Sequence, residues 1–297
     1  MNASSFVRCA TALAFGSGLA ACAGSSQTMT PSVDAAPAIL MRHIFYPRGF
    51  TRARSAPPYP GQMLYHDGDV QTAPSVYVVY WGFTNDDPAG EAARLTKFLQ
   101  AVGGSSWLST VTQYTQQGGA HIANPTGQLK GVWNDTTHPV PLKPTVGQIA
   151  IEADLLVEKF GASPNASYIV ATPHGHNYAS FPRQICAEHD NATVHGHYIS
   201  YTILPYINDG GYFCGNNAVN RGAAGKLDGV SIIAGHELAE TQTDPGTTEY
   251  GGGWWDGNGY EIADKCAWFQ LANTRLSDGA YYATQPLWSN VARGCAQ

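Results

Sequence analysis

Basic residues are scarce. Against 22 aspartates and glutamates, the 297-residue chain has 16 lysines and arginines, a net charge of −6 with neutral histidines. That balance argues against nucleic acid as a partner. The sequence has no Gly-x-Ser-x-Gly elbow, no phosphate-cradling glycine loop and no dinucleotide fingerprint, so serine-hydrolase and nucleotide-enzyme readings lack support. Its six cysteines include no Cys-x-x-Cys pair, which leaves an all-cysteine zinc site without its usual spacing. The apolar run Cys9 to Ala21 is too short to span a bilayer as a permanent helix.

That run follows a single positive charge at Arg8 and ends in Leu19-Ala20-Ala21-Cys22. Residues 1–21 read as a lipoprotein signal peptide with a bacterial lipobox, after whose cleavage Cys22 would carry lipid and anchor the chain to a membrane. An ordinary signal peptide with an incidental cysteine is the alternative. Either reading makes the protein extracytoplasmic, held at the cell envelope or secreted. Cleavage removes Arg8 and no acid, so the net charge becomes −7. Cys186, Cys214, Cys266 and Cys295 then remain for an oxidising compartment, enough for two disulfides. Of the three connectivities, pairing Cys186 with Cys214 and Cys266 with Cys295 closes two loops of under about 30 residues. Residues 22–61 are rich in Ser, Ala and Pro and read as a flexible tether. Arg42, Arg48, Arg52 and Arg54 within it could rest on anionic lipid or simply be solvated.

Residues 62–297 are long enough for one domain with a full core. The β-rich apolar run Val76 to Trp81 predicts a buried strand, and Ser167–Thr172 and His197–Pro205 predict two more. Asp87-Pro88 opens a helix with Ala92, Leu95, Phe98, Leu99 and Val102 at helical spacing. A second helix is expected near Trp107 to Tyr114. Thr145 caps a third that Gly161 ends. Asp228 is placed to cap a last long helix that stops at Asp244-Pro245.

That last helix carries His236-Glu237-Leu238-Ala239-Glu240. Residues four apart share a helix face, so His236 and Glu240 can point an imidazole and a carboxylate at one ion. Glu237 holds the position that, in the His-Glu-x-x-His arrangement, acts as general base. A third zinc ligand is needed, and in one zincin branch a downstream glutamate supplies it. Glu261 lies 25 residues beyond His236. Asp264 could orient a ligand, and Asp244 could join Glu261 and Asp264 around Ca²⁺ instead. His189, fixed by its nearness to Cys186, is the best remaining candidate, as a ligand or as an oxyanion stabiliser. The pairs His174-Gly175-His176 and His195-Gly196-His197 could each hold a metal from a strand, or be surface histidines. The helix is otherwise nearly uncharged, which predicts burial on most sides. Gly235 within it suggests close approach by another group.

Tyr65-His66-Asp67-Gly68, the Val76–Trp81 strand, Cys186-Ala187-Glu188-His189 and Asp228-Gly229-Val230 resemble the plant phosphate-induced (Exordium-like) extracellular family. Gly235 to Pro245, Trp254-Trp255-Asp256, Glu261 to Trp268 and Gln285 to Asn290 look more like its bacterial and fungal secreted relatives, which are described as metallopeptidase-like. The resemblance implies an extracellular location and supports His236, Glu237, Glu240, Glu261 and His189 as matched positions. Asp244 departs from it, because the plant proteins tend to have asparagine there. Their association is with cell-wall growth and signalling.

The expectation is therefore an α/β (mixed α+β) fold, a single zincin-like domain with a central mixed sheet, an active-site helix and two disulfides. The expected activity is that of an extracytoplasmic zinc-dependent hydrolase, a metallopeptidase acting on peptide or protein. The rival is a noncatalytic binding protein of the cell envelope or surface, holding a cell-envelope polymer and a structural ion or none.

Overall fold

A computed structural model describes residues 43–50, 58–84, 87–246 and 252–297. The signal peptide, Cys22, and Arg42, Arg52 and Arg54 of the expected tether lie outside the described residues. In chain order the elements are β1 (His43–Phe45), β2 (Leu64–Tyr65), β3 (Ser75–Trp81), α1 (Glu91–Val102), β4 (Leu129–Asp135), α2 (Val146–Phe160), β5 (Ala166–Ala171), β6 (Ala187–Val194), β7 (His197–Leu204), α3 (Asp228–Thr243), β8 (Trp254–Trp255), β9 (Ala272–Arg275), β10 (Tyr281–Thr284), β11 (Leu287–Ser289) and β12 (Gly294–Ala296).

Six strands form a mixed sheet in the order β1-β6-β7-β5-β3-β4. The pairs β3 with β4, β3 with β5 and β5 with β7 are parallel, and β6 runs antiparallel to both β7 and β1. Parallel strands need covering on both faces, which is why β3 and β5 read as near-continuous apolar runs. Strand alternation decides what each face meets. His197 of β7 turns toward Asp154 of α2, whereas Ser200 and Tyr198 turn the other way, bonding the Pro245 and Gly246 carbonyls just beyond α3. So α2 and α3 lie on opposite faces, and α1 packs beside α3. The short pairs β2 with β8, β9 with β10 and β11 with β12 complete the described strands.

The helix signals act as read, with two changes. Thr145 forms a capping box with Gln148, accepting the Gln148 N–H at 3.3 Å while Gln148 Oε1 accepts the Thr145 N–H at 3.0 Å, an arrangement worth about 1 kcal/mol. Asp87 accepts the Glu91 and Ala92 N–H groups at 2.6 and 3.1 Å and so starts α1. Asp228, expected as a cap, makes no cap bond; it is the first helical residue, and its carboxylate instead accepts the Val219 and Asn220 N–H groups at 2.8 and 2.7 Å. The helix expected near Trp107 is a 3-10 turn over Leu108–Gln113.

All 16 residues of α3 are buried, as its low charge predicts. A Cβ at Gly235 would come within 3.0 Å of the Trp107 ring and 3.1 Å of Phe98, so the glycine admits two aromatic side chains rather than a ligand. The disulfides are Cys186–Cys214 and Cys266–Cys295, spanning 28 and 29 residues. No helix among the described residues is long and apolar enough to cross a membrane. The boundary of the tether moves: His43–Phe45, inside the stretch read as unstructured, is an edge strand paired with Ala187–His189 of β6.

Candidate metal centre

α3 supplies three of the side chains. His236 and Glu240, one helical turn apart, bring Nε2 and Oε2 to 2.9 Å. Glu237 turns toward β6, where its Oε2 lies 3.0 Å from His189 Nδ1. At the end of the helix the Asp244 carbonyl accepts His189 Nε2–H at 3.2 Å, and Asp244 Oδ1 accepts the Gly253 N–H at 2.8 Å. The segment after β8 is tied to the helix by Glu240 Oε1, which accepts the Ala263 and Asp264 N–H groups at 3.2 and 2.9 Å.

Glu261 and Asp264 leave that segment in different directions. Asp264 Oδ1 approaches His236 Nε2 at 3.8 Å. Glu261 turns to the histidines of the sheet, with Oε1 3.5 Å from His189 Nε2 and Oε2 2.5 Å from His43 Nδ1. The ligand-bearing atoms thus fall into three adjoining sets: His236, Glu240 and Asp264; His189, Glu237 and Glu240; and His43, His189 and Glu261. Spacing had grouped Glu261 with His236 and Glu240. In the fold Asp264 takes that place, and Glu261 joins the two strand histidines.

His43 has no counterpart in the sequence reading. It sits directly across from His189 on the paired strands, with ring centroids 4.3 Å apart. Phe45, two residues on and therefore on the same face, packs its ring 4.1 Å from that of His236. The alternation of His43-Ile44-Phe45-Tyr46 was the available signal, but three residues are too few to establish a period beside the Pro, Ser and Arg around them.

Every one of these eight side chains is buried or nearly so. Burial lifts the pKa values of Glu237 and Glu240 well above the usual carboxylate range; the facing Glu240 and Glu261 add to the effect on Glu237, and Glu261 adds to that on Glu240. Burial also raises Asp244. It lowers His189, and it lowers His236 to about 4, in both cases against neighbouring carboxylates that favour the charged ring. Across the 3.0 Å contact between Glu237 Oε2 and His189 Nδ1 burial thus acts on both partners against charge, and His189 Nε2–H donates to the Asp244 carbonyl.

Six buried polar atoms of the cluster lack a well-aligned hydrogen bond among the described residues: both ring nitrogens of His236, Glu237 Oε1, Glu240 Oε2, Asp244 Oδ2 and Glu261 Oε1, although His236 faces the Gln285 side chain and Glu261 Oε1 lies 3.5 Å from His189 Nε2. The 2.9 Å approach of His236 Nε2 to Glu240 Oε2 is close enough for an ion pair but lacks the alignment of a hydrogen bond. Buried polar groups are costly unless satisfied. An imidazole and carboxylates with free lone pairs facing one another form a donor set that suits a divalent cation.

Compared with known proteins, the chain matches no family model, no curated protein and no solved structure.

Proposed function

We propose that the cluster under α3 is the metal centre of a zinc-dependent hydrolase, most simply a peptidase that works outside the cytoplasm. The observation that carries the proposal is the set of six buried nitrogen and oxygen atoms on His236, Glu237, Glu240, Asp244 and Glu261 that face one another without a well-aligned hydrogen bond among the described residues. His236 and Glu240 from α3 would hold the ion, completed by Asp264 from the segment behind them rather than by the expected Glu261. A zinc ion held there would polarise a substrate carbonyl and favour the ionised form of the carboxyls around it. With Glu237 ionised, His189 would hold Glu237 Oε2 through Nδ1 and the Asp244 carbonyl through Nε2. With Oε2 so held, Oε1 would be the oxygen placed to take a proton from attacking water. His189 is in this reading the orienter of the base. The two disulfides accord with an oxidising compartment, and the lipid anchor at Cys22 belongs to the same proposal. Kinship with the Exordium-like family and its metallopeptidase-like relatives rests on the residues that carry the resemblance.

Near-complete burial favours a second reading, a structural ion in a noncatalytic envelope protein. The Ca²⁺ alternative through Asp244, Glu261 and Asp264 draws less support, because every close ligand set in the cluster includes a histidine and none joins these three carboxylates. Two measurements separate the readings. Elemental analysis should find about one zinc ion fewer per chain in purified His236→Ala than in the unaltered chain; equal zinc in both would refute the centre. Peptide turnover should fall by about 100-fold or more in Glu237→Gln with zinc retained. Absent turnover in the zinc-loaded, unaltered chain would favour the structural ion.

A further inference from the structure

A second cluster lies on the face of the sheet that α2 covers, where β4 ends. Asp135 is the last residue of β4 and pairs with Trp81, the last residue of β3. It therefore stands at the carboxyl ends of the parallel strands, outside which open α/β sheets hold their ligands. Its two oxygens have different partners. Oδ1 accepts the Thr137 N–H at 2.8 Å, the Thr137 hydroxyl at 2.7 Å and the His138 N–H at 3.2 Å, which fixes the turn after the strand. Oδ2 faces the His138 ring, with Nδ1 at 2.6 Å. From α2, Glu152 brings a second carboxyl to the same place. It is 2% exposed, and its Oε1 has no hydrogen-bond partner among the described residues. One ligand atom from each of Asp135, His138 and Glu152 lies within 4.8 Å of the other two.

We propose that Asp135, His138 and Glu152 bind a divalent transition-metal ion, at a site separate from the centre under α3. Two buried carboxyls set against each other must share either a proton or a cation. Without an ion they share a proton: burial, the charge of Asp135 and a hydrogen bond to it lift Glu152 to about 8. Asp135 itself, against its burial, is held well below the usual carboxylate range by the Thr137 and His138 donors. A dication in place of the shared proton satisfies both carboxylates at once. The His138 side chain is 52% exposed, so an ion can enter beside it from solvent. An imidazole among the ligands favours zinc, copper or nickel over calcium or magnesium. The histidine pairs around Gly175 and Gly196 are not so arranged. His174 bonds Asp209 and His176 bonds the Pro141 carbonyl, while His195 and His197 occupy separate oxygens of Asp154, which has no unpartnered atom.

The test keeps the two sites apart. Full-length chain stripped with chelator is titrated with Zn²⁺ beside Glu152→Gln, His138→Asn and His236→Ala. Glutamine has nearly the shape of the protonated carboxyl that the ion-free chain holds, so Glu152→Gln should fold. The unaltered chain should take up one zinc more than Glu152→Gln and one more than His138→Asn, whether or not the buried centre binds, and His236→Ala should keep that zinc. Uptake by Glu152→Gln or His138→Asn equal to that of the unaltered chain would overturn the proposal. Equal uptake by His236→Ala and the unaltered chain would instead count against the centre under α3 alone. A second measurement needs no substitution. Crystals of the unaltered chain grown with zinc should show an anomalous peak at the zinc edge about 2.0–2.2 Å from oxygens of Asp135 and Glu152; the absence of a peak there would likewise overturn it.

Discussion

His43 Nδ1 and Glu261 Oε2 stand 2.5 Å apart although 218 residues separate them in the chain. Burial works against charge on either group, but each outweighs it for the other. His43 is lifted to about 10, with Asp244 and Glu240 contributing, and Glu261 is held well below the usual carboxylate range, with His189 contributing. The pair is therefore an ion pair that fastens the edge strand β1 to the loop after β8. Removing one partner strands a buried charge, so His43→Ala should lower stability by about 3–5 kcal/mol in chelator-treated protein. Urea unfolding at neutral pH measures this. A loss below about 1 kcal/mol would show that the strand is not held by the pair.

Lys265 gives a parallel case outside the metal centre. It is fully buried, with Nζ 2.6 Å from Asp256 Oδ2, 3.2 Å from the Pro60 carbonyl and 4.4 Å from the centre of the Trp288 ring. Lys265→Met retains most of the stem but leaves Asp256 facing an apolar group, and it should cost about 3–5 kcal/mol. Adding Asp256→Asn should recover part of the loss, because no uncompensated charge then remains. Denaturant midpoints of the single and double variants decide it; a double variant no more stable than Lys265→Met would place the cost in packing instead.

Local, periodic signals were legible in the sequence, and long-range pairings were not. The buried strands at Val76 and Ser167, the capped helix at Thr145 and the low charge of α3 each announce themselves within a single window. Loop length also favoured the disulfide pairing. Strand β6 did not stand out, because Glu188, His189, Asp190 and Asn191 are polar; β6 places His189 in the metal cluster, and polar burial there obscures the apolar alternation that marks ordinary strands. His43 was hidden for a related reason. Its strand has three residues, and its place is fixed by pairing with Ala187–His189 rather than by anything local. The exchange of Asp264 for Glu261 beside His236 follows from the Glu240 bonds to the Ala263 and Asp264 N–H groups, which orient that loop; spacing carries no information about them.

Glu91 allows a prediction about pH. The side chain is buried at the start of α1, and its carboxylate accepts the Ile207 and Asn208 N–H groups at 2.8 and 3.0 Å. Burial outweighs those two donors and, with Asp87 and Asp209 nearby, lifts the pKa from the ordinary 4.5 to about 8. Below about pH 4.5 native and unfolded chains both hold the proton, and above about pH 8 neither does. Between these values the native chain holds a proton that the unfolded chain has released. Unfolding then releases a proton, so this group's contribution falls as pH rises through the interval. Glu152 is lifted to about 8 as well, by burial and by Asp135, and contributes a slope of the same sign. The informative quantity is thus the difference between the unaltered chain and Glu91→Gln. Between about pH 5 and about pH 9 the unaltered chain should lose on the order of 2–4 kcal/mol more stability than the variant, since glutamine does not titrate. Urea midpoints across that range give the two slopes directly, and parallel slopes would mean that Glu91 is ionised in the native protein at pH 5.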